Sequence, residues 1–332
     1  MKMTFIDVST TDPAFNLALE QYVFDQMPRD RGYFILWQND NAIIVGRHQN
    51  TLAEINEDYV RDHGIQVVRR LSGGGAVYHD LGNLNFTYIV NAAQGPRVDL
   101  KLFCRPVAEA LRSLGVEAQV NGRNDITIGG RKFSGNAQYV REGRVMHHGT
   151  IMFDSDLTVI GKALQVNREK IAAKGVRSIK SRVTCVRPHL PEDVSLAEFK
   201  ARLLESMFRD QSMEPYTLSA EDLAAVEVLR ERRYNTWEWN YGASPACTIL
   251  RRRRVEGCGT VEAYIQADKG RITAMEFRGD FFSTVEPEML ARRFIGLRPA
   301  EEDYRTALER VDAGAYFTGL DTAALLDILC HG

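Results

Sequence analysis

The sequence lacks the patterns that mark several common classes of protein. Its 332 residues contain neither the Walker A pattern nor the glycine pattern of dinucleotide-binding folds, so any bound nucleotide is held in another way. Five cysteines occur without a CxxC pair, which does not fit a disulfide framework and favours free thiols in a reducing compartment. The formal net charge of −2 gives no indication of a nucleic-acid partner or an anionic membrane surface.

The chain also shows no apolar signal-peptide core near its first residue and no apolar run as long as a membrane span. We therefore expect a cytoplasmic protein. Hydrophobic residues make up 44% of the sequence and charged residues 26%, which is typical of globular proteins. A chain of this length can bury a full core and fits about two domains.

Composition and periodicity predict an α+β fold in which mixed β-sheets are flanked by helices. Residues 234–242 are aromatic and without a period, so we interpret them as a connector. Beyond them, residues 261–266 and 271–278 alternate around Asp268-Lys269-Gly270, as in a hairpin. We predict a large N-terminal domain over residues 1–245 and a small α+β domain over residues 246–332.

Local signals predict individual elements of the larger domain. Asp12 followed by Pro13 predicts the start of a helix. Residues 32–37 and 42–46 are predicted to form a hairpin around a Gln-Asn-Asp-Asn turn. A three-stranded meander is predicted for residues 125–128, 131–140 and 145–153. Further helices are predicted for residues 52–63, 99–114, 156–175, 195–209 and 219–234.

A glycine-rich segment, Arg69-Arg70-Leu71-Ser72-Gly73-Gly74-Gly75-Ala76-Val77-Tyr78-His79-Asp80, separates two strand-like runs at residues 65–68 and 84–90. Consecutive glycines can bring backbone N–H groups against a ligand and form a concavity that binds anions. Arg69 and Arg70 are expected to add positive charge at its entrance. A plain glycine-rich hairpin with a solvated arginine pair is the alternative.

Three other features are candidates for a function, and each has a competing explanation. The run Arg251–Arg254 lies in a strand-like segment, where it is typical of a protected sheet edge rather than of nucleic-acid binding. His79, His147 and His148 do not have the spacing of a standard zinc site. Cys104 falls in a helical pattern and is expected in the core, whereas Cys185 lies in a basic segment and is the better candidate for a nucleophile.

Five motifs nevertheless follow one another in a distinctive order. They are RRLSGGGAVYHDLGN, GRNDI, RKFSGNA, HHGT and AAKGVRSIKSRV. Together they resemble the lipoate–protein ligase A family of the biotin/lipoate ligase superfamily. The resemblance extends over nearly the whole chain, including WEWNYG in the connector and GDFF in the small domain.

This resemblance implies a ligase that works in two steps. ATP, with Mg²⁺, and the carboxylate of (R)-lipoate would form lipoyl-adenylate and pyrophosphate. The lysine amine of a lipoyl domain would then attack the adenylate and release AMP. The acceptors implied are the acyltransferase subunits of 2-oxoacid dehydrogenase complexes and the H protein of the glycine cleavage system. A monomer is expected.

The resemblance also assigns residues to the site. Lys132 would be the catalytic residue, in contact with the acyl carbonyl and the α-phosphate. Trp37, Arg70 and Lys132 would line the lipoate pocket, with Phe133 nearby. Asp125 is the candidate for contact with magnesium. Residues 172–183 would close over the adenylate. The full set implied for ATP and lipoyl-adenylate is Arg70, Ser72, Gly73, Gly74, Gly75, Ala76, Val77, Tyr78, His79, Asn83, Asn124, Asp125, Lys132, His148 and Lys180.

Two positions depart from the family pattern. Tyr78 stands where phenylalanine is common, and Cys185 stands where asparagine is frequent. Cys185 keeps open a second mechanism, because related lipoyl and octanoyl acyltransferases carry the acyl group on a cysteine and use no ATP. A biotin ligase would need an arginine-rich loop pattern that is absent here. A non-enzymatic binding module would neither consume ATP nor need Lys132.

Overall fold

A computed structural model describes residues 2–91, 99–122, 124–164, 182–209, 213–241, 249–268 and 270–332. Its strands are β1 Met3–Asp7, β2 Gly32–Trp37, β3 Ala42–Val45, β4 Gln66–Arg69, β5 Val77–His79, β6 Asn83–Asn91, β7 Ala118–Asn121, β8 Asp125–Ile128, β9 Arg131–Arg141, β10 Arg144–Met152, β11 Met213–Pro215, β12 Ile249–Val255, β13 Gly259–Asp268 and β14 Arg271–Gly279.

The α-helices are α1 Pro13–Asp25, α2 Thr51–Glu54, α3 Glu57–Asp62, α4 Leu100–Ser113, α5 Leu157–Ala163, α6 Leu196–Met207, α7 Ala220–Leu229, α8 Trp237–Asn240, α9 Pro287–Ala291, α10 Glu301–Ala307, α11 Ala313–Tyr316 and α12 Thr322–His331. Short 3₁₀ turns cover Arg187–His189 and Arg292–Phe294, and a π-helical turn, Arg230–Tyr234, extends α7. None of the helices in the described ranges is long and apolar enough to cross a bilayer.

An eight-stranded mixed sheet organises the N-terminal part of the chain, in the order β11-β1-β2-β6-β10-β9-β8-β7. The strand pairs β1–β2 and β1–β11 are parallel, whereas β2–β6, β6–β10 and β9–β10 are antiparallel. Side chains alternate between its faces, so Phe34 and Leu36 join one hydrophobic core and Ile35 and Trp37 the other. Helix α4 packs on the first face and α1 on the second. The predicted α+β class is confirmed.

A second sheet, in the order β4-β3-β5, covers part of the α1 side. The hairpin predicted for β2 and β3 is therefore wrong, because the two strands belong to different sheets. The turn between them exists, with Asn41 at a positive φ of 43°. However, β2 pairs with β1 and β6, while β3 pairs in parallel with β4 and antiparallel with β5. Both strands are buried throughout, so each needs neighbours that a turn signal cannot specify.

Two helical predictions also need correction. The helix predicted over residues 52–63 is two short helices, because Ile55 is extended and pairs with Leu164, while Asn56 caps α3. The helix predicted over residues 156–175 begins as expected, with Asp156 as its cap, but α5 ends at Ala163 and Leu164 is extended. The remainder of that prediction, from residue 165 onward, lies outside the described residues.

Predictions that rested on local caps and turns are confirmed. Asp12 caps α1 through the N–H groups of Ala14 and Phe15, and Asp99 caps α4. Ser195 and Ser219 each form a reciprocal capping box at the start of α6 and α7. The meander of β8, β9 and β10 is also present.

The C-terminal part contains the sheet β12-β13-β14 and its own hydrophobic core. The predicted hairpin is present as β13 and β14, and the arginine run lies on the edge strand β12. Each arginine has an internal partner: Arg251 donates to the Leu329 carbonyl, and Arg252, Arg253 and Arg254 pair with Glu262, Asp327 and Asp280. The run therefore lies on a sheet edge, as expected, and its role in edge protection stays a prediction. The boundary at residue 245 stays a prediction, because residues 242–248 lie outside the described ranges.

Candidate active site

A cavity of about 110 Å³ lies between the large sheet and the glycine-rich segment. Leu17 of α1, Trp37 of β2 and Ile44 of β3 supply its apolar part. The other lining residues are Arg70, Gly74, Gly75, Ala76, Val77, His79, Asn85, Asn124, Lys132, Gly135, Asn136, Ala137, His148, Gly149 and Thr150. A mainly apolar cavity with a few convergent polar groups is the usual form of a small-molecule site.

The register of the sheet explains why residues far apart in sequence meet in this wall. Trp37 pairs with Asn85, and Asn85 pairs with Thr150, across β2, β6 and β10. Two residues along the strands, Thr87 pairs with His148, and His148 pairs with Ala137 of β9. Because side chains two residues apart share a face, both rows project toward α1 and the glycine-rich segment.

Arg70 lines the cavity and fixes the glycine-rich segment through hydrogen bonds. Its Nε donates to Ser72 Oγ at 3.0 Å, and its Nη2 donates to the carbonyls of Gly73 and Gly75 at 2.7 and 2.8 Å. Its Nη1 donates to the carbonyl of Ile44 at 3.0 Å. Burial lowers the pKa of Arg70 to about 10, so the guanidinium stays charged at neutral pH.

Arg69 does not supply charge at an entrance, and that expectation is wrong. Its guanidinium is buried and donates to the carbonyls of Gly46, Gln49 and Trp239 at 2.7 to 2.9 Å. It also donates to Thr51 Oγ1 at 2.6 Å. Burial, with Arg278 and Arg47 nearby, lowers its pKa to about 9. Arg69 therefore connects β4 to the segment before α2 and to α8 through hydrogen bonds.

The glycines serve close packing as well as a binding wall. A Cβ on Gly73 would lie 2.1 Å from the carbonyl oxygen of Phe281, in the C-terminal part. Gly74 has a φ of +91° and donates its N–H to that same carbonyl at 3.2 Å. The Gly74 N–H is thus not bare, as the sequence led us to expect. Gly75 has open space where its Cβ would be and faces the cavity.

Lys132 lies at the polar end of the cavity, near the start of β9. Its Nζ is 2.7 Å from Asp125 Oδ1, and both side chains are about one third exposed (34% and 37%). A Cβ on Gly135 would lie 2.8 Å from this Nζ, so the glycine leaves room for the lysine to cross it. Asn124, beside Asp125, donates from Nδ2 to the carbonyl of Asn136 at 2.8 Å. Asp125 itself contacts Lys132 and is not part of the cavity wall.

His79 lines the cavity and carries a hydrogen-bond donor that has no partner in the described part of the chain. The Nδ2 of Asn39 donates to Nδ1 of His79 at 3.1 Å. The Asn39 amide is held in this orientation because its Oδ1 accepts a hydrogen bond from Nδ2 of Asn16. Burial, with the charge of Arg70, lowers the pKa of His79 to about 3, so the ring is neutral with its proton on Nε2. Within the described residues this Nε2 has no partner, and neither does Nδ2 of buried Asn85. Both residues line the cavity, so two unpaired donors lie beside it.

Several residues implied by the resemblance lie away from the cavity. Tyr78 points to the opposite side of β5 from Val77 and His79, and its hydroxyl donates to Asn41 Oδ1 at 3.1 Å. Asn83 donates to Asn85 Oδ1 at 2.9 Å without lining the wall. Ser72 and Gly73 lie behind it, against Arg70 and Phe281. Lys180 and most of residues 172–183 lie outside the described residues.

Sequence reasoning did not assign eight wall residues to the site: Leu17, Ile44, Asn85, Gly135, Asn136, Ala137, Gly149 and Thr150. A signal was available for Asn85 and Thr150. Asn85 lies two residues after Asn83, and Thr150 lies two residues after His148, so each shares a strand face with a residue that had been assigned to the site. Leu17 and Ile44 resembled ordinary core residues, and only the packing of α1 and β3 over the sheet brings them to the cavity.

Cys185 is poorly suited to act as a nucleophile. It is buried, its Sγ lies 3.5 Å from the carbonyl oxygen of Ser155, and burial raises the pKa of its thiol. A thiol must ionise before it attacks an acyl group. Cys185 is also absent from the cavity wall. Cys104 is fully buried in the core, as expected.

Comparison with known families and structures identifies the family of the chain. Residues 12–208 match the model of the lipoyl protein ligase A/B catalytic domain. Residues 244–329 match the model of the bacterial lipoate protein ligase C-terminus. The chain is also 38% identical over 331 residues to lipoate-protein ligase LplJ of Bacillus subtilis, an alignment that covers 98% of this chain and 100% of the relative.

Two solved structures are similar in both fold and sequence. A bipartite lipoate protein ligase described with its E2 lipoyl domain, from Thermoplasma acidophilum, is 27% identical with a TM-score of 0.66, covering 75% of this chain and 100% of that one. A lipoate-protein ligase A bound with ATP is 26% identical with a TM-score of 0.63, covering 73% and 99%. The match extends from the family models through full-length relatives to the fold, and the chain therefore belongs to the lipoate–protein ligase family.

Proposed function

We propose that this chain activates lipoate with ATP to lipoyl-adenylate and transfers the lipoyl group to a lysine of an acceptor lipoyl domain. One observation supports this most strongly. In a chain whose full length matches lipoate–protein ligases, the motif lysine Lys132 lies at the polar end of an apolar cavity. Lipoate has a matching shape, with an apolar tail and one carboxylate.

In the first step, a lipoate carboxylate oxygen attacks the α-phosphorus of ATP, and the bond from that phosphorus to the β-phosphate oxygen breaks. Negative charge develops on the α-phosphate and the departing pyrophosphate. A cation held beside that charge stabilises the transition state, and we assign this role to Lys132. Donors at His79 Nε2 and Asn85 Nδ2 would hold the acyl group or the phosphate in place.

Magnesium fits the oxygen ligands beside Lys132. Mg²⁺ bound with a nucleotide takes one or two carboxylates together with phosphate oxygens and water. Asp125 offers a carboxylate that is about one third exposed (37%), within reach of Lys132 at 2.7 Å. We propose that Asp125 contacts the ion, which shields the phosphate charge when bound. Lys132 would then be released from Asp125 and turn toward the substrate.

In the second step, the acceptor lysine amine attacks the acyl carbon of the adenylate, and the bond to the AMP oxygen breaks. The proposed acceptors are apo lipoyl domains of 2-oxoacid dehydrogenase acyltransferase subunits and of the glycine cleavage H protein. The Thermoplasma structure, described with its E2 lipoyl domain, supports acceptors of this class. We place this reaction in the cytoplasm, by a monomer.

The reaction can be tested directly. The protein is incubated with ATP, Mg²⁺, lipoate and an apo lipoyl domain, and the acceptor is then weighed by mass spectrometry. The expected result is one added lipoyl group, lost when ATP is omitted or when the acceptor lysine is replaced by arginine. An acceptor whose mass does not change with ATP present, but does change when supplied with an acyl-thioester donor, would contradict the proposal.

Replacement of Cys185 distinguishes the two acyl-transfer mechanisms. We expect Cys185→Ser to keep ATP-dependent lipoylation within about threefold of wild type, since the adenylate route needs no thiol. Lipoylated acceptor is measured over time at limiting enzyme. Loss of transfer in the serine variant, with an acyl-thioester trapped on Cys185 in the wild type, would instead support the cysteine mechanism.

Formation of the adenylate is expected to change the arrangement of the two parts of the chain. The Gly74 N–H bond to Phe281 joins the cavity wall directly to the C-terminal part, so a ligand that moves the wall also disturbs this contact. We expect lipoyl-adenylate to shift the C-terminal part and to protect residues 172–183 from proteolysis. Small-angle scattering and limited proteolysis, each with and without a non-hydrolysable adenylate, measure these effects. Superimposable profiles and unchanged cleavage would contradict the prediction.

A further inference from the structure

A continuous line of buried hydrogen bonds leads to the cavity wall, and its first member, Glu20, was not identified by sequence. Glu20, on α1, is only 2% exposed. One of its oxygens accepts the hydroxyl of Thr87, and both lie 3.0 to 3.1 Å from Nδ1 of His148. A carboxylate only accepts hydrogen bonds, so Nδ1 of His148 carries the proton that it donates to Glu20.

The line continues from His148 to the glycine-rich segment. Nε2 of His148 lies 2.6 Å from Ser72 Oγ, and this same oxygen accepts from Nε of Arg70 at 3.0 Å. Arg70 then holds the carbonyls of Gly73 and Gly75. The order is therefore Glu20, His148, Ser72, Arg70 and the backbone that forms one wall of the cavity.

The negative charge of Glu20 is important because Arg70 carries a buried positive charge. Every group that Arg70 contacts directly is neutral: three backbone carbonyl positions and one hydroxyl. Within the described ranges no carboxylate forms an ion pair with it. A buried guanidinium without a counter-charge is costly. Burial lowers the pKa of Arg70, and the negative charge of Glu20 opposes that shift.

We propose that Glu20 is a positioning residue for acyl activation: it orients His148 and, through Ser72, supplies the counter-charge that holds Arg70 and the wall formed by Gly73–Gly75. This role rests on the proposed ligase function. Glu20 is not part of the cavity wall, so we assign its effect to its partners His148 and Ser72. A purely structural role, in which Glu20 only stabilises α1 against the sheet, is the competing explanation.

The two explanations differ in their kinetic effects. A loosened wall misplaces groups around the reacting phosphate, and misplacement by about 1 Å far from the chemistry can cost about 100-fold in rate. We expect lipoate binding to depend mainly on the apolar lining, and neither hydrogen-bond partner of Glu20, Thr87 or His148, belongs to that lining. Loss of Glu20 should therefore lower kcat much more than it raises KM for lipoate.

The test uses Glu20→Gln, which keeps the shape and an acceptor oxygen for His148 but removes the charge. Lipoate-dependent ATP–pyrophosphate exchange is measured well below the thermal midpoint. We expect kcat to fall by about 10- to 100-fold, with KM for lipoate within about threefold of wild type. The control is Gln21→Ala, a buried neighbour on α1 whose partners are Asp25, Arg233 and Tyr234, and it should stay within about threefold in both constants.

Ser72→Ala tests the route and does not depend on the folding of the Glu20 variant. It cuts the line between His148 and Arg70, so its kcat should also fall by about tenfold or more. The effects of residues that act through one another are not additive. The kcat of the double variant Glu20→Gln/Ser72→Ala should therefore be within about threefold of the kcat of the less active single variant. Multiplicative losses in the double variant, or a kcat for Ser72→Ala near wild type, would overturn the proposal.

The outcomes also separate this role from the proposed function. Wild-type protein that catalyses no lipoate-dependent exchange would overturn the ligase function and this role with it. Wild-type exchange that survives Glu20→Gln within about threefold would overturn the role of Glu20 alone.

Discussion

Lys132→Met is expected to lower lipoate-dependent ATP–pyrophosphate exchange by about a hundred- to a thousandfold, which corresponds to about 3–4 kcal/mol of lost transition-state stabilisation. The ammonium lies at the polar end of the cavity and is held 2.7 Å from Asp125. Gly135, across which the side chain runs, keeps it close to the wall. Methionine cannot supply the positive charge that Lys132 brings to the α-phosphate once it is released from Asp125, and water that enters the vacated space does not replace it.

The fold should be almost unaffected by this change. Lys132 and Asp125 are each about one third exposed (34% and 37%), and exposed ion pairs contribute about 0–1 kcal/mol to stability. The thermal midpoint of Lys132→Met, measured by calorimetry, should therefore stay close to that of wild type. The control is Lys200→Met, which removes another lysine paired with an aspartate, Asp7, and should leave exchange unchanged. If Lys132→Met kept exchange within about threefold of wild type, the proposed site would be misplaced.

Arg69→Met is expected to have the largest effect on stability, lowering the free energy of unfolding by about 3–5 kcal/mol. Arg69 is 3% exposed and donates to the carbonyls of Gly46, Gln49 and Trp239 and to the hydroxyl of Thr51. Methionine fills part of the volume but leaves these buried acceptors without a donor, and each such group costs about 1–3 kcal/mol. Compensating shifts of the backbone keep the total below the sum.

Equilibrium unfolding in urea measures this loss through the midpoint at an unchanged slope. Arg253→Met is the matched control, since Arg253 is an edge-strand arginine paired with Asp327 at the surface, and it should cost less than about 1 kcal/mol. Equal losses in the two variants would show that the contacts of Arg69 are no more important than a surface ion pair.

Features set by neighbouring residues could be predicted from the sequence alone. Helix starts at Asp12, Asp99, Ser195 and Ser219 were correct because a capping side chain bonds N–H groups two or three residues away. The meander was correct because its turns carry positive φ, as at Gly129 and Gly130. The ordered motifs also identified the family, which the full-length relatives confirm.

Features set by distant residues were predicted less well. The turn before β3 is real, yet nothing near residues 32–46 specifies that β2 and β3 enter different sheets. Tyr78 was assigned to the site from its motif, but the alternation of β5 turns it away while His79 faces the cavity. A motif identifies which residues recur in a family and does not indicate the face on which each one lies.

By itself, the sequence determined the family, the α+β class, the local caps and turns, and the residue types of the proposed chemistry. Only the tertiary structure decided that both arginines of the glycine-rich segment are buried and that Gly74 bonds Phe281. It also placed Glu20 behind His148. The physical reason is that burial, charge compensation and shared faces depend on contacts between segments far apart in sequence, such as Gly74 and Phe281, which are 207 residues apart. Caps and turns depend on atoms within about four residues.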